Sequence, residues 1–403
     1  MNLTMDSNLN KLKPYPFEKL RELFSQVNTN QELKNINLSI GEPKSPTPEL
    51  IKQALANKLD TLANYPKTKG EPFLRESIAK WLYQRFSLPP NSINPDQHIL
   101  PVNGTREALF AIAQTIINDN GHAKVLTPNP FYQIYEGAAY LAGAEPLYID
   151  FRVVNGDVPA LNEISENTWK DTQLIYICTP SNPTGEILPQ QCLVKLIQLA
   201  HKYDFIIASD ECYSEIFLDE NNPPQGLLQA AIAYGDEKYQ RCLSFYSLSK
   251  RSNSPGLRSG FVAGDTNIIT EFLKYRTYHG CAMPLATQHA SAAAWNDESH
   301  VQKNRLIYQQ SFTLALQELS PCCDVELPQA GFYLWLPTPI DDEEFALGLY
   351  SQQNVTVLPG KYLARSVKNH NPGANRVRIA LVATPDECQT AANRITTYIK
   401  SIS

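Results

Sequence analysis

Between residues 50 and 285 helical periodicity and short apolar runs take turns, and this alternation restricts the possible folds more than any other feature of the chain. Apolar residues at 3.6-residue spacing predict helices over 72–85, 105–117 and 190–203. Between and after them, the runs at 98–102, 124–126, 144–149, 174–178, 205–208, 242–246 and 261–263 read as short buried strands. Strands separated by helices are joined by crossovers, so they lie mostly parallel and need cover on both faces. The expectation is an α/β fold whose large domain, residues 50–285, holds a mostly parallel seven-stranded sheet. Past Pro284 the pattern changes to a helical stretch over 286–319, strand-like runs at 331–336, 355–358 and 376–381, and a last helix from Pro385. That predicts a smaller α+β domain, 286–403. It is joined by an N-terminal arm, 1–49, with a short helix over 12–23 and a brief strand ending at Gly41.

Composition narrows the function. The 403 residues carry a net charge of −6 and no long Lys/Arg run, which argues against a dedicated nucleic-acid or polybasic membrane binder and for small-molecule partners. Eight cysteines contain no CxxC pair, so neither a zinc site nor a disulfide framework is expected, and no metal is assigned. No run approaches the roughly 20 apolar residues of a membrane span, and Met1 to Lys11 is polar. The chain reads as cytoplasmic and unprocessed.

In open α/β sheets ligands gather beyond the carboxyl ends of the strands, so the residues just after each apolar run carry the chemistry. After 98–102 come Gly104, Thr105 and Arg106, a tight turn into a helix whose free amides can take a phosphate; plain helix capping explains the same residues. After 124–126 comes Tyr132, an aromatic at the same rim or simply core. After 174–178 comes Asn182-Pro-Thr-Gly185, a turn that can point its amide over the sheet edge. Asp210 closes the run at 205–208; a carboxylate there is costly unless it meets a cation, though a solvated loop acid is equally compatible. Tyr213 follows three positions later. After 242–246 come Ser247 and Lys250, a lysine flanked by hydroxyls rather than carboxylates. Such an amine suits losing its proton and attacking a carbonyl. Arg258 lies between Gly256 and Gly260, where its fork can reach a phosphate or carboxylate.

Taken in this order the motifs resemble those of the fold-type I pyridoxal-phosphate enzymes of the class I/II aminotransferase family, and the likeness runs from about Leu38 to Leu381. The resemblance implies pyridoxal 5′-phosphate as cofactor, joined to Lys250, which also shuttles the substrate's α-proton. It implies that Asp210 pairs with the pyridinium nitrogen and keeps the ring an electron sink. Asn182 and Tyr213 would contact the ring's 3-hydroxyl, and Tyr132 would stack on its face. Gly104, Thr105, Arg106, Ser247 and Arg258 would hold the phosphate. Arg378 would clamp the substrate α-carboxylate beside Gly41, with Arg376 a competitor on the same strand face. Tyr65, in Asn64-Tyr-Pro-Lys-Thr-Lys-Gly70, matches a tyrosine that reaches a neighbouring subunit's phosphate, which implies a homodimer with a shared active site. Ser254 and Ser259 depart from the family pattern, where those positions are usually apolar.

Several stretches, among them Lys13-Pro-Tyr-Pro-Phe-Glu-Lys19, Pro128 to Glu136 and Tyr275 to Met283, are similar to one branch of that family, the proteobacterial succinyldiaminopimelate aminotransferases. The implied reaction exchanges an amino group between glutamate and 2-oxoglutarate on one side and an acylated amino-dicarboxylic substrate on the other, in lysine biosynthesis. Lys44, Arg276, Tyr278 and His279 are candidates for its distal carboxylates. Aspartate, aromatic or other amino-acid transfer, and carbon–sulfur lyase chemistry, use the same cofactor residues. A regulator with a fused DNA-binding head would need an N-terminal winged helix, and only about 40 residues precede Gly41.

Overall fold

The computed structural model describes residues 7–118 and 121–402; the first six residues of the expected arm and the final serine lie outside them. The seven runs form one sheet, in the order Ile99–Val102, Gly260–Gly264, Cys242–Ser247, Ile206–Asp210, Thr172–Cys178, Lys124–Pro128, Glu145–Ile149. Gly260–Gly264 runs antiparallel to both its neighbours, and every other pairing is parallel. Apolar side chains bury on both faces, as crossover helices require. Leu126, Ile175, Ile177 and Ile207 belong to one core with helices Pro72–Phe86 and Gln190–Tyr203. Leu100, Val125, Leu174 and Tyr176 belong to the other, with helix Thr105–Ile116.

The predicted run at 355–358 divides into two short strands. Val355–Thr356 pairs with Ile36–Asn37 of the arm, while Leu358–Pro359 joins Arg376–Ala380 and Tyr333–Pro337 in an antiparallel sheet. The helical stretch over 286–319 is also broken, into Leu285–Trp295 and Ser299–Leu319. Its first half buries Ala290, Ala294 and Trp295 in the core of the large sheet, because its alanine-rich face packs against helices Glu49–Ala56 and Pro72–Phe86. The second half buries Phe312, Ala315 and Leu319 against the C-terminal helix and the three-stranded sheet. Helices Glu49–Ala56, Gln133–Leu141, Leu227–Tyr234, Thr266–His279 and Asp342–Gln353 were not expected from the sequence. All eight cysteines are free. Among the described residues no helix is long and apolar enough to cross a membrane.

Candidate active site

Parallel pairing brings the strand ends to one edge. Asp210 is the last residue of Ile206–Asp210, buried at 4% exposure. It accepts a hydrogen bond from the Tyr135 hydroxyl (2.7 Å) and one from the Cys212 backbone N–H (3.2 Å), and among the described residues it forms no ion pair. Burial raises its pKa, and the bonds from Cys212 and Tyr135 and the charge of Lys250 oppose that shift. A buried carboxylate held by neutral donors is poised for a cation.

Lys250 stands on the single turn Leu248–Arg251, capped by Ser247, whose Oγ accepts from the Ser249 N–H (3.1 Å). Its Nζ donates to the Gly41 carbonyl (2.5 Å) and lies 5.5 Å from the Phe332 ring and 6.0 Å from that of Tyr213. Burial brings its pKa down to about 8. The amine is therefore available as a neutral nucleophile or base far more readily than a surface lysine.

The anion side is built on helix Thr105–Ile116. Gly104 caps it with φ +91°, and a Cβ there would collide with the Arg258 guanidinium, so only glycine lets this arginine lie across the helix start. Arg258 itself has φ +51° and donates to the Pro255 carbonyl (3.0 Å). Thr105 Oγ1 meets Cys212 Sγ at 3.0 Å, which ties the helix start to the Asp210 loop. Arg106 Nε donates to the Tyr132 hydroxyl (2.6 Å).

Arg378, 4% exposed, donates to Asn182 Oδ1 (2.9 Å) and to the Ser39 carbonyl (2.7 Å). Its guanidinium carbon lies 4.4 Å from the centroid of the Tyr333 ring. Its Nε has no partner, an orphaned donor that a carboxylate would satisfy. Arg376 instead donates to the Trp335 carbonyl (3.3 Å). Gly41 is needed because the Tyr333 hydroxyl fills the space a Cβ would take. Asn182 and Tyr213 already have protein partners, Arg378 and the Tyr333 hydroxyl (2.9 Å) respectively.

The expected site residues other than Tyr65 thus gather where the carboxyl ends of the large-sheet strands meet Arg378 of the smaller sheet and Gly41 of the arm. Tyr65 is fully exposed. Tyr135 and Tyr333 were missed by sequence reasoning. Tyr135 sits three residues after Tyr132, a helical spacing that signals a shared face, whereas Tyr333 carries no local signal. Of the distal candidates, Arg276 is corrected: it is completely buried, its charge is met by Glu107 and it donates to the Cys281 carbonyl (3.0 Å), so a substrate cannot reach it. Lys44 pairs with Glu42 (3.2 Å), Tyr278 is exposed and His279 contacts Cys281. A cleft of about 1070 Å³ opens beside the site between the two sheets, reaching Cys178, Ser181, Tyr333, Trp335 and Arg376.

A buried amine of lowered pKa, a buried acid without a cation and a glycine-capped helix start under an arginine are features of the pyridoxal-phosphate enzymes. The chain belongs to the family described as aminotransferase class I and II, whose model matches residues 34–395. It is therefore a pyridoxal-phosphate-dependent aminotransferase of fold type I. An LL-diaminopimelate aminotransferase of Dehalococcoides mccartyi is 28% identical over 391 residues, 96% of each chain. An aminotransferase structure from Neisseria meningitidis superposes with a TM-score of 0.93 at 46% identity, covering 98% of this chain and all of that one. Aminotransferase AspB of Helicobacter pylori does so with 0.87 at 35% identity, covering 96% and 99%. The residues present fit the cofactor in charge and burial: a buried amine at Lys250, a buried acid without an ion pair at Asp210, and the Arg258 guanidinium lying across the helix start at Gly104.

Proposed function

We propose that this aminotransferase exchanges the amino group between glutamate and N-succinyl-2-amino-6-oxopimelate, in the diaminopimelate route to lysine, and that it works in the cytoplasm. The observation that carries the α-amino-acid part of this reading is Arg378, a buried guanidinium with an unpaired Nε fixed beside Lys250 and Gly41. The diaminopimelate part rests on the similarity of Pro128–Glu136 and Tyr275–Met283 to one branch of the family. It is supported by relatives named for LL-diaminopimelate, which also favour a second reading in which the substrate is not acylated.

Bound pyridoxal phosphate supplies an electron sink for the charge left when the α-proton departs. Every other task falls to the chain. Lys250 would hold the cofactor at its aldehyde carbon, and its amine would carry the proton between the substrate's α-carbon and that carbon. Asp210, oriented by Tyr135 and the Cys212 N–H, would pair with the ring nitrogen. The amides of Gly104, Thr105 and Arg106, with Ser247 and Arg258, would hold the phosphate. Tyr132 would cover the ring, and Asn182 and Tyr213 would meet its hydroxyl. Arg378 takes the α-carboxylate by its fork. Tyr65 of the partner subunit would complete the phosphate site in a homodimer. Leu59, Leu62 and Tyr65 are all exposed on one short segment, an apolar strip suited to burial against a second copy.

The test is a substrate panel followed by the visible spectrum of the holoenzyme. Turnover of the succinylated substrate with glutamate should exceed that of aspartate, aromatic amino acids and free LL-diaminopimelate. Faster turnover of aspartate or an aromatic amino acid would discard the proposed substrate.

A further inference from the structure

The four residues that follow Lys250 are polar and buried: Arg251, Ser252, Asn253 and Ser254 are 2%, 0%, 3% and 2% exposed. The proposed reaction uses none of them. Polar groups so buried are costly unless each is paired. Nearly all the partners come from one corner, where helix Leu285–Trp295 ends and helix Ser299–Leu319 begins. The Arg251 guanidinium lies 4.9 Å from the Trp295 ring and 5.6 Å from that of Trp81, donates to the Ala294 carbonyl (2.7 Å) and pairs with Glu298. Asn253, with φ +47°, donates its amide to Asn304 Oδ1 (2.8 Å), and Asn304 Nδ2 donates to the Arg251 carbonyl (3.1 Å).

Ser252 Oγ lies 2.8 Å from His300 Nε2, and His300 Nδ1 lies 3.0 Å from Asp297 Oδ1. Burial pushes Asp297 up, but bonds from Ser299 and His300 outweigh it and bring the carboxyl to about 2. Asp297 is therefore ionised and must accept from Nδ1–H. Burial lowers the His300 pKa, with the Arg251 charge acting the same way against Asp297, so the ring is neutral and Nε2 accepts from the Ser252 hydroxyl. The order Ser–His–Asp matches that of hydrolases. Ser252 has no exposed surface, however, so no substrate can reach its oxygen. What the chain of bonds acts on is the backbone to which Ser252 belongs. Its N–H closes the Lys250 turn on the Leu248 carbonyl (3.0 Å), so holding Ser252 holds the turn's C-terminal end.

We propose that His300 and Asn304 are positioning residues for Lys250, gripping the end of its turn through Ser252, Asn253 and the Arg251 carbonyl. This rests on Lys250 being the cofactor lysine. Both residues belong to a helix whose far half packs on the smaller sheet, so the placement of the reactive amine depends on that helix's docking. The charged and titratable groups around Lys250 itself, namely Asp210, Cys212, Tyr213, Arg378, Glu42 and Arg106, are untouched by changes at 300 or 304.

The experiment compares holoenzymes bearing His300→Ala, His300→Gln, His300→Asn and Asn304→Ala, read by the pH midpoint of the bound cofactor's visible band, by kcat and KM, and by thermal unfolding. Removing the grip in His300→Ala and Asn304→Ala should move the midpoint by about half a unit or more and lower kcat about tenfold with KM little changed. His300→Gln sets an amide near the former Nε2 and should return both values towards wild type; His300→Asn reaches only Asp297 and should not. A merely structural role would lower the unfolding temperature and leave the midpoint and kcat where they were, and that result overturns the proposal. If His300→Ala does not fold, the Gln and Asn variants decide it, since equal midpoints in those two also overturn it. Lys250→Ala is the separate control: persistence of the band there sinks the cofactor reading itself, whatever His300 does.

Discussion

Arg378 reaches across from the smaller sheet to donate to Asn182, in the turn that follows the large-sheet strand Thr172–Cys178, with 2.9 Å between Nη1 and Oδ1. One bond therefore joins the residue placed to clamp substrate to the turn placed over the cofactor ring. Replacing Arg378 by Lys keeps the charge and loses the fork. Each charged hydrogen bond lost is worth about 1.5–3 kcal/mol. We expect kcat/KM for every amino-acid substrate to fall at least about tenfold, mostly through KM, in steady-state assays.

Reconstitution should report the state of Lys250. Its amine loses its proton near pH 8 instead of the usual lysine range because burial disfavours the ammonium. The rate at which stripped enzyme regains its visible band with added pyridoxal phosphate should rise through a midpoint near pH 8 and level off above it. A profile still climbing beyond pH 10 would contradict the buried amine.

Tyr135 offers a test of a residue with no sequence assignment. Tyr135→Phe removes the hydroxyl that donates to Asp210 at 2.7 Å and keeps the ring that stacks on Tyr176. The buried carboxylate then loses the Tyr135 donor, at a cost of about 1.5–3 kcal/mol. Cofactor retention on dialysis and kcat should both fall while the fold, measured by circular dichroism, stays intact.

Gly104→Ala should act on the anion side alone. The new methyl meets the Arg258 guanidinium, and φ +91° is strained for any residue with a Cβ. The expected outcome is cofactor affinity reduced about tenfold or more, with the inhibition constant of a substrate-like dicarboxylate nearly unchanged.

Subunit mixing tests Tyr65, fully exposed within its own chain. Inactive Lys250→Ala and weakened Tyr65→Ala subunits, once co-expressed, should form hybrids with one intact site and recover activity. No recovery in hybrids isolated by two different tags would place Tyr65 outside the neighbouring site.

Much of the sheet was legible because each of its strands is a short apolar run bounded by turn residues, and burial on both faces leaves such a run no other use. Helix Gln190–Tyr203 was legible end to end for a similar reason, its amphipathic period closing on a basic last turn. Helices Glu49–Ala56, Leu227–Tyr234 and Asp342–Gln353 were not. The first two are only eight residues long, the third shows no marked local period, and tertiary packing holds all three. The break at 296–298 escaped notice too, because no proline or glycine interrupts residues 286–319; two different cores claim its halves.

The site divides along the same line. Lys250, Asp210, Asn182 and Gly104 could be picked out from the chain alone because strand ends are local features and parallel pairing must bring them to one edge. Strand alternation puts Arg376 and Arg378 on one face, so the preference for Arg378 rests on resemblance alone; only docking of the second sheet sets which of them meets Asn182. Arg276 shows the converse: its charge is plain in the sequence, but only folding reveals Glu107 against it. The net charge of −6 likewise describes the surface in bulk, while the cluster of Arg258, Arg378 and helix amides at the sheet edge has the opposite sign. Side-chain chemistry and local periodicity are properties of the chain. Which groups neutralise one another, and which are left free to act, depends on distances that exist only once the chain is packed.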